Sequence, residues 1–289
     1  MSYYRNQQQP HQRGRRRQSV SGWKIRLIIA GGIILFSAIS YYGSGTQNPI
    51  TGETQRVGGM TPAQEVEIGR NAAYGMVQQH GGITSDSQAG LSVARIGKRI
   101  ENALYHKLQD QGIRMPYTFD FHLLADRQVV NAFALPGGQV FITEALFRRM
   151  TDEGQLAGVL GHEIGHVIER HGIERMAQGN FYQRMAGAAG VAGGGANSAQ
   201  MASAVLRSFQ LSYGREAELE SDRWGVELMV LTGYNPEHML EVMDILEEAS
   251  AGGSPPEFMS SHPKPANRQK YIRDVIQEMF PQGLPPNLR

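Results

Sequence analysis

The chain has 289 residues, enough for one sizeable globular domain with appendages. Hydrophobic residues make up 40% and the net charge is only +1, which excludes wholesale disorder and gives no general support to nucleic-acid binding. There is no cysteine, so disulfides, cysteine-based zinc sites, thiol nucleophiles and a lipidated cysteine anchor are all excluded.

The positive charge is concentrated at one end. No acidic residue precedes Glu53, and Arg13, Arg15, Arg16 and Arg17 cluster in a Gln-, Arg- and Ser-rich stretch. Residues 1–22 therefore read as a disordered basic tail. Residues 27–43 carry no charge. As a helix they reach about 26 Å at 1.5 Å per residue, against a bilayer core of about 30 Å. Trp23 and the pair Tyr41 and Tyr42 suit the two interfaces, while Lys24 and Arg26 can snorkel. We read residues 23–43 as a transmembrane signal anchor in contact with membrane lipid, its basic end cytoplasmic and the remainder across the membrane. A cleaved signal peptide and a mitochondrial presequence are the alternatives.

Residues 44–60 are rich in Gly, Thr, Asn and Pro and read as a linker. Thr61 followed by Pro62 marks a helix start, and helices are expected over 62–80 and 88–110. Residues 117–124 alternate as a strand does, and 129–143 read as a hairpin around Pro136-Gly137-Gly138. Residues 152–172 form one apolar-faced helix in this reading. The Gly/Ala-rich stretch near 186–200 reads as a mobile flap over a cleft. Further helices are expected over 202–232, with a break near Tyr213-Gly214, and over 236–250 and 265–280. The main domain is placed at 61–283.

The run His162-Glu163-Ile164-Gly165-His166 carries the chemistry. Positions i and i+4 share one helix face, so two imidazoles can meet one metal ion. Glu163 beside them can take a proton from water whose pKa the metal lowers from 15.7 towards about 7. The residues thus point to one zinc ion and peptide-bond hydrolysis. A catalytic zinc takes three protein ligands. A third histidine ten residues after the first is excluded, because residue 172 is Gly. His171 is one position out of register and reads as structural or as an exposed helix-end residue. Glu218 and Asp222 lie four apart on one face of a later helix. They read either as a ligand with a partner for a ligand's ring N–H, or as part of a solvated charged face with Glu216 and Glu220.

Four segments together carry a resemblance. They are Asn131-Ala132-Phe133-Ala134-Leu135-Pro136-Gly137-Gly138, the His162–His166 motif with Arg170-His171, Glu218 with Asp222, and Ser261-His262-Pro263 followed by Arg268. The chain is similar, over roughly residues 60–280, to the membrane-associated zinc metalloproteases that include the CAAX prenyl proteases and the HtpX-like quality-control proteases. The likeness is greatest to periplasmic members with a soluble domain and to the mitochondrial Oma-type enzymes. It implies a mainly α gluzincin domain with a small β-sheet, Glu218 as third zinc ligand and Asp222 as its supporting partner. It also implies that the edge strand around Asn131, Ala132 and Phe133 takes an extended substrate by strand addition. Unfolded or misassembled envelope proteins are the substrates expected from it, with the chain in a bacterial inner membrane and its catalytic domain in the periplasm; a mitochondrial inner membrane is the alternative. His262 has three readings: a donor to the oxyanion, a fourth zinc ligand that holds the enzyme latent, or a turn residue before Pro263. Arg268 is expected to bind a carboxylate that shapes this loop, and Tyr213 is a second oxyanion candidate. A zinc-stabilised, chaperone-like module with little turnover is the competing functional class; the presence of Glu163 argues against it, since a structural site does not need that residue.

Overall fold

The structure is a computed structural model that describes residues 22–43, 45–193, 213–250, 256–262 and 267–289. Helix α1 (Gly22–Gly43) carries most of the large exposed hydrophobic side chains among the described residues. A short antiparallel pair follows, β1 (Thr46–Gln47) and β2 (Thr54–Gln55). The expected linker is therefore a docked hairpin. Asn48 Nδ2 donates to the Ile168 carbonyl at 2.8 Å and Gln55 Nε2 to that of Glu169 at 2.6 Å, which uses carbonyls that the end of a helix leaves unpaired.

Helix α2 (Pro62–Gln79) starts where the sequence indicates, with a reciprocal capping box between Thr61 and Gln64. Helix α3 (Ser87–Asp110) buries Val93, Ile96, Ile100, Leu104 and Leu108, a stripe at helical spacing that packs on the sheet. The sheet has the order β3-β5-β4, with β3 (Asp120–Leu124) parallel to β5 (Gln139–Thr143) and β4 (Ala132–Leu135) antiparallel to it. Gly137 and Gly138 turn the β4–β5 hairpin at φ 79° and 114°, where a side chain would be strained. The outer edge of β3 is covered, because Ile83 bridges Leu124 and the Thr84 N–H donates to the Leu123 carbonyl at 2.9 Å. That leaves β4 as the edge strand of this sheet.

After the short α4 (Glu144–Phe147) comes α5 (Glu153–Ile168), buried along its whole length from Gly154 onward. It ends earlier than the single helix read over 152–172. Arg170 sits at φ 58°, a left-handed conformation that breaks the run, and His171 opens a new helix, α6 (His171–Gly193). The buried Arg170 donates from Nε to Glu65 Oε1 at 2.9 Å and from Nη2 to the Met60 carbonyl at 2.8 Å. Tyr117 donates to the other oxygen of Glu65 at 2.8 Å. These contacts fasten α2 to the end of α5.

The chain resumes at Tyr213, and α7 (Arg215–Leu231), α8 (His238–Ser250), α9 (Glu257–Ser261) and α10 (Arg268–Met279) follow. Residues 186–193 of the expected flap are part of α6, which packs on α1. The basic tail up to residue 21, residues 194–200 of that stretch, the expected helix over 202–212 and Pro263 lie outside the described residues.

Candidate metal centre

Helix α5 crosses α7 at very short range. A methyl group on Gly161 would lie 3.2 Å from the Gly225 Cα, and one on Gly165 would lie 2.9 Å from the Ser221 Cα. The absence of side chains at these positions lets the backbones approach and sets Glu218 and Asp222 of α7 opposite the histidine face of α5. The Nε2 atoms of His162 and His166 are 3.1 Å apart. The Glu218 carboxylate lies 3.6 Å from the first and 3.5 Å from the second. His262, just beyond α9, brings its Nδ1 to 3.4 Å from His162 Nε2, 3.1 Å from His166 Nε2 and 3.1 Å from Glu218 Oε1. All four residues are buried and offer one donor atom each to a common point.

These spacings fit zinc. Bonds of about 2.0–2.1 Å in a tetrahedron put neighbouring donors roughly 3.3–3.4 Å apart. The protonation states fit as well. Burial, followed by the crowd of neighbouring histidines, pushes the His166 pKa well below its ordinary value, so the ring is neutral and keeps a lone pair. Burial by itself would raise the Glu218 carboxyl, but His262 and Arg268 outweigh it and the net shift is downward, towards carboxylate.

A supporting layer orients the donors. His162 Nδ1 is 3.0 Å from Asp222 Oδ1, which fixes the imidazole with Nε2 facing the centre. Arg268 is buried and clasps Asp222 from Nε at 2.6 Å and from Nη2 at 2.7 Å, and its Nη1 is 2.9 Å from Glu218 Oε2. It thus braces the metal-facing carboxylate and that carboxylate's neighbour together, a closer role than shaping a loop. His171 places its Nδ1 2.9 Å from His166 Nδ1, and its Nε2 lies 2.9 Å from Glu220 Oε2. Tyr213 stacks on the His166 ring at 4.0 Å and 21°. Burial pushes its phenol up to about 12, so the hydroxyl remains a donor.

Glu163 stands apart from the donor set. Its side chain is 1% exposed, neither of its oxygens has a hydrogen-bond partner, and Oε1 is 3.6 Å from His262 Nε2. Burial raises its carboxyl above the ordinary value, against the pull of His262 and His162. A buried carboxylate with no hydrogen-bond partner, set beside a ring of metal donors, can accept or release a proton there.

The model for peptidase family M48 matches residues 94–276, most of the chain. The chain belongs to peptidase family M48. It is 32% identical over 193 residues to the beta-barrel assembly-enhancing protease of Escherichia coli strain K12, covering 62% of this chain and 39% of that protein. It is 26% identical over 275 residues to the mitochondrial metalloendopeptidase OMA1 of Schizosaccharomyces pombe, covering 93% of this chain and 75% of that one. With the human OMA1 metalloendopeptidase the identity is 27% over 167 residues, covering 54% and 32%. The chain thus spans about two fifths of the length of the first of these relatives. Zinc is the metal of M48 metalloproteases, and the four donors fit it.

Within this M48 domain the structure gathers His162, Glu163, His166, Glu218, Asp222, His262 and Arg268 into one cluster. Ala132 and Phe133 lie on β4, the edge strand, with Phe133 stacked on Phe141 at 5.0 Å. Asn131 is just outside β4 and buried, and its side chain donates to Glu257 Oε1 at 3.1 Å. A small pocket lined by Ala134, Leu135, Pro136, His166, Arg170 and Tyr213, among others, joins the strand to the centre. Of the two readings of His171, structural or exposed at a helix end, the structure favours the first, since it is 5% exposed and touches His166. Its position follows from the helix break at Arg170, which spacing does not announce.

Proposed function

We propose that this chain is a zinc-dependent endopeptidase that cleaves unfolded or misassembled membrane or envelope proteins. The observation that carries the reading is the placement of Glu163 beside four convergent, buried donors. In this reading His162, His166 and Glu218 hold the ion, Asp222 fixes His162, and Arg268 braces Asp222 and Glu218. Zinc supplies Lewis acidity toward the scissile carbonyl and toward water. Glu163 takes the proton of the attacking water and delivers it to the departing amide nitrogen, a transfer suited to a carboxyl whose pKa is raised by burial. Strand β4 lies beside the centre, and an extended peptide added to it would present backbone to the site with little demand on side chains.

His262 occupies the fourth position in this arrangement, and we assign it the role of a protein ligand that caps the resting centre. It must withdraw before a carbonyl can take its place. That same position favours the second reading, a closed four-ligand site with little turnover. Helix α1 is long and apolar enough to cross a membrane, which supports a membrane anchor. The name of the Escherichia coli relative favours the bacterial envelope, with the domain on the periplasmic side, and that of the OMA1 relatives the mitochondrion.

Casein cleavage and bound zinc, measured on wild type, Glu163→Gln and His262→Ala, separate the readings. An endopeptidase loses cleavage in Glu163→Gln while it keeps zinc, and gains cleavage in His262→Ala if His262 is a cap. Equal activity of wild type and Glu163→Gln would exclude the mechanism. Absence of cleavage in both wild type and His262→Ala would favour the closed structural site.

A further inference from the structure

Helix α1 is covered on one side only. Ala30 and Ser37, seven residues apart, are buried at 5% and 2%, and Ile33 and Tyr41 on the same stripe are partly covered. The opposite side exposes Ile28, Leu35, Phe36 and Ile39. Helix α6 packs along the covered stripe. The direction of this packing is set at one end. Tyr41 stacks on Phe181 at 4.8 Å and 21°, so Phe181 is level with the end of α1 that leads into the catalytic domain. The half of α6 before Phe181 is engaged by the domain: the Arg56 N–H donates to Glu174 at 2.9 Å, and Ala177 is buried facing Gly58. The half after Phe181 runs back along α1 towards Ala30.

We infer that the second half of α6, from about Met185 onward, lies in the lipid bilayer against α1, so that the protein meets hydrocarbon through two helices. The inference rests on the reading of α1 as a membrane span. From Phe181 to Gly193, α6 advances about 18 Å, more than half of a bilayer core of about 30 Å. Its composition permits this. Arg184, within one turn of the Tyr41 level, can snorkel to the interface, and the sequence carries no formal charge from Met185 to Leu206. Gly187 and Ala188 let two helix backbones approach closely, the usual basis of helix association where no hydrophobic effect operates between helices, and Ala188 is fully buried. The Ser37 hydroxyl is buried on the covered stripe and has no hydrogen-bond partner. It is turned away from the exposed side, as a polar group in hydrocarbon should be.

The consequence reaches the metal centre. The first residue of α6 is His171, whose ring touches His166. One helix therefore runs from a zinc-facing histidine into the membrane, and Ala188 is about 26 Å along it from His171. The centre would be held at a fixed height over the bilayer, which favours protein segments close to the membrane surface as substrates.

The absence of cysteine makes the test direct. Single-cysteine variants of the full chain, Ala186→Cys on the exposed side of α6, Leu35→Cys on the exposed side of α1 and Lys270→Cys on the catalytic domain, are placed in phosphatidylcholine proteoliposomes and treated with a membrane-impermeant maleimide. Lys270→Cys on outward-facing molecules should label. The inference expects Leu35→Cys and Ala186→Cys to be protected, and both to label once detergent is added. Labelling of Ala186→Cys in liposomes with Leu35→Cys protected overturns the inference and leaves the anchor standing. Labelling of both removes the anchor itself and the inference with it. Protection of Ala186→Cys that persists in detergent shows cover by protein and also overturns it.

Discussion

Asn131 and Glu257 join the edge of the sheet to the segment that caps the metal centre. The Asn131 amide donates to Glu257 at 3.1 Å, and beside it the Phe258 N–H donates to the Val130 carbonyl at 3.2 Å. Helix α9, which leads directly into His262, is thus moored to the start of β4, and the Phe258 ring stacks on that of His262 at 4.4 Å. A peptide added to β4 and a docked α9 compete for neighbouring backbone. Loss of the Asn131–Glu257 bond should therefore release His262 more often. One such bond is worth about 1 kcal/mol, roughly fivefold in the ratio of released to docked forms. Glu257→Ala is expected to raise casein turnover by up to about that factor with zinc content unchanged. Equal or lower turnover would break the link between strand and cap.

Arg268 holds both Glu218 and Asp222 through its guanidinium, and neither carboxylate has solvent to fall back on. Its own pKa is raised: burial opposes the charge, but Asp222 and Glu218 overcome it. Arg268→Ala leaves buried carboxylates short of positive charge. The expected result is a loss of zinc affinity of about 10–100-fold, read by chelator competition, together with a lower melting temperature. Arg268→Lys should not restore it, because a single ammonium cannot span the two carboxylates as the guanidinium fork does. Full rescue by lysine would mean that charge alone matters here.

Much of this centre was legible before any coordinates. His162 and His166 follow from helical spacing, and Glu218 with Asp222 from the same spacing on a second helix. What spacing could not supply was the direction in which that second helix faced, since Glu216 and Glu220 interleave with the same charge. Two glycines decide it by allowing α5 and α7 to touch, and that is a property of packing between distant segments. The choice between the two readings of His171 was not legible, because a non-glycine residue at φ 58° breaks the helix, and the Arg170 ion pair with Glu65 that accompanies the break spans more than a hundred residues. The hairpin at 46–55 was read as linker because its two-residue strands gain their fixity from Asn48 and Gln55 reaching α5 carbonyls, and no local pattern encodes such contacts. The apolar run near the N-terminus, the capped start of α2 and the β4–β5 turn are local signals, and the structure has a long apolar helix, a capping box and a glycine turn at these places.

Glu144 gives an acid-side test away from the metal. Thr84 donates to one oxygen at 2.5 Å; Arg127, at 2.8 Å, and Arg148 donate to the other. The Thr84 bond first, then Arg127, lower its carboxyl to about 2 from an ordinary 4.5, against the effect of burial. A depressed folded-state pKa contributes stability that is complete above the unfolded value and is lost as pH falls through the folded one. The window is therefore from 4.5 downward to about 2. The stability difference between wild type and Glu144→Gln, from urea unfolding, should be largest at neutral pH and shrink as the pH is lowered through that window. A difference that does not change with pH would show that Glu144 is not held in its charged form by the fold.

Gly165 and Gly161 face the same helix but not with the same clearance. A methyl at 165 would meet the Ser221 Cα at 2.9 Å, its carbonyl oxygen at 3.0 Å and the Trp224 Cβ at 3.0 Å, all on the α7 turn next to Asp222. A methyl at 161 would meet only the Gly225 backbone, at 3.2 Å and beyond. Alanine at a helix interior is otherwise favoured over glycine by up to about 1 kcal/mol, so any loss of stability must come from the crossing. Gly165→Ala forces α7 away from α5 and carries Glu218 and Asp222 with it. It should destabilise the domain by about 1–3 kcal/mol in denaturant unfolding and weaken zinc retention. Gly161→Ala should cost less on both measures, since one backbone contact can yield by a few tenths of an ångström. Equal effects at the two positions, or intact zinc binding in Gly165→Ala, would show that the closeness of this crossing does not set the ligand geometry.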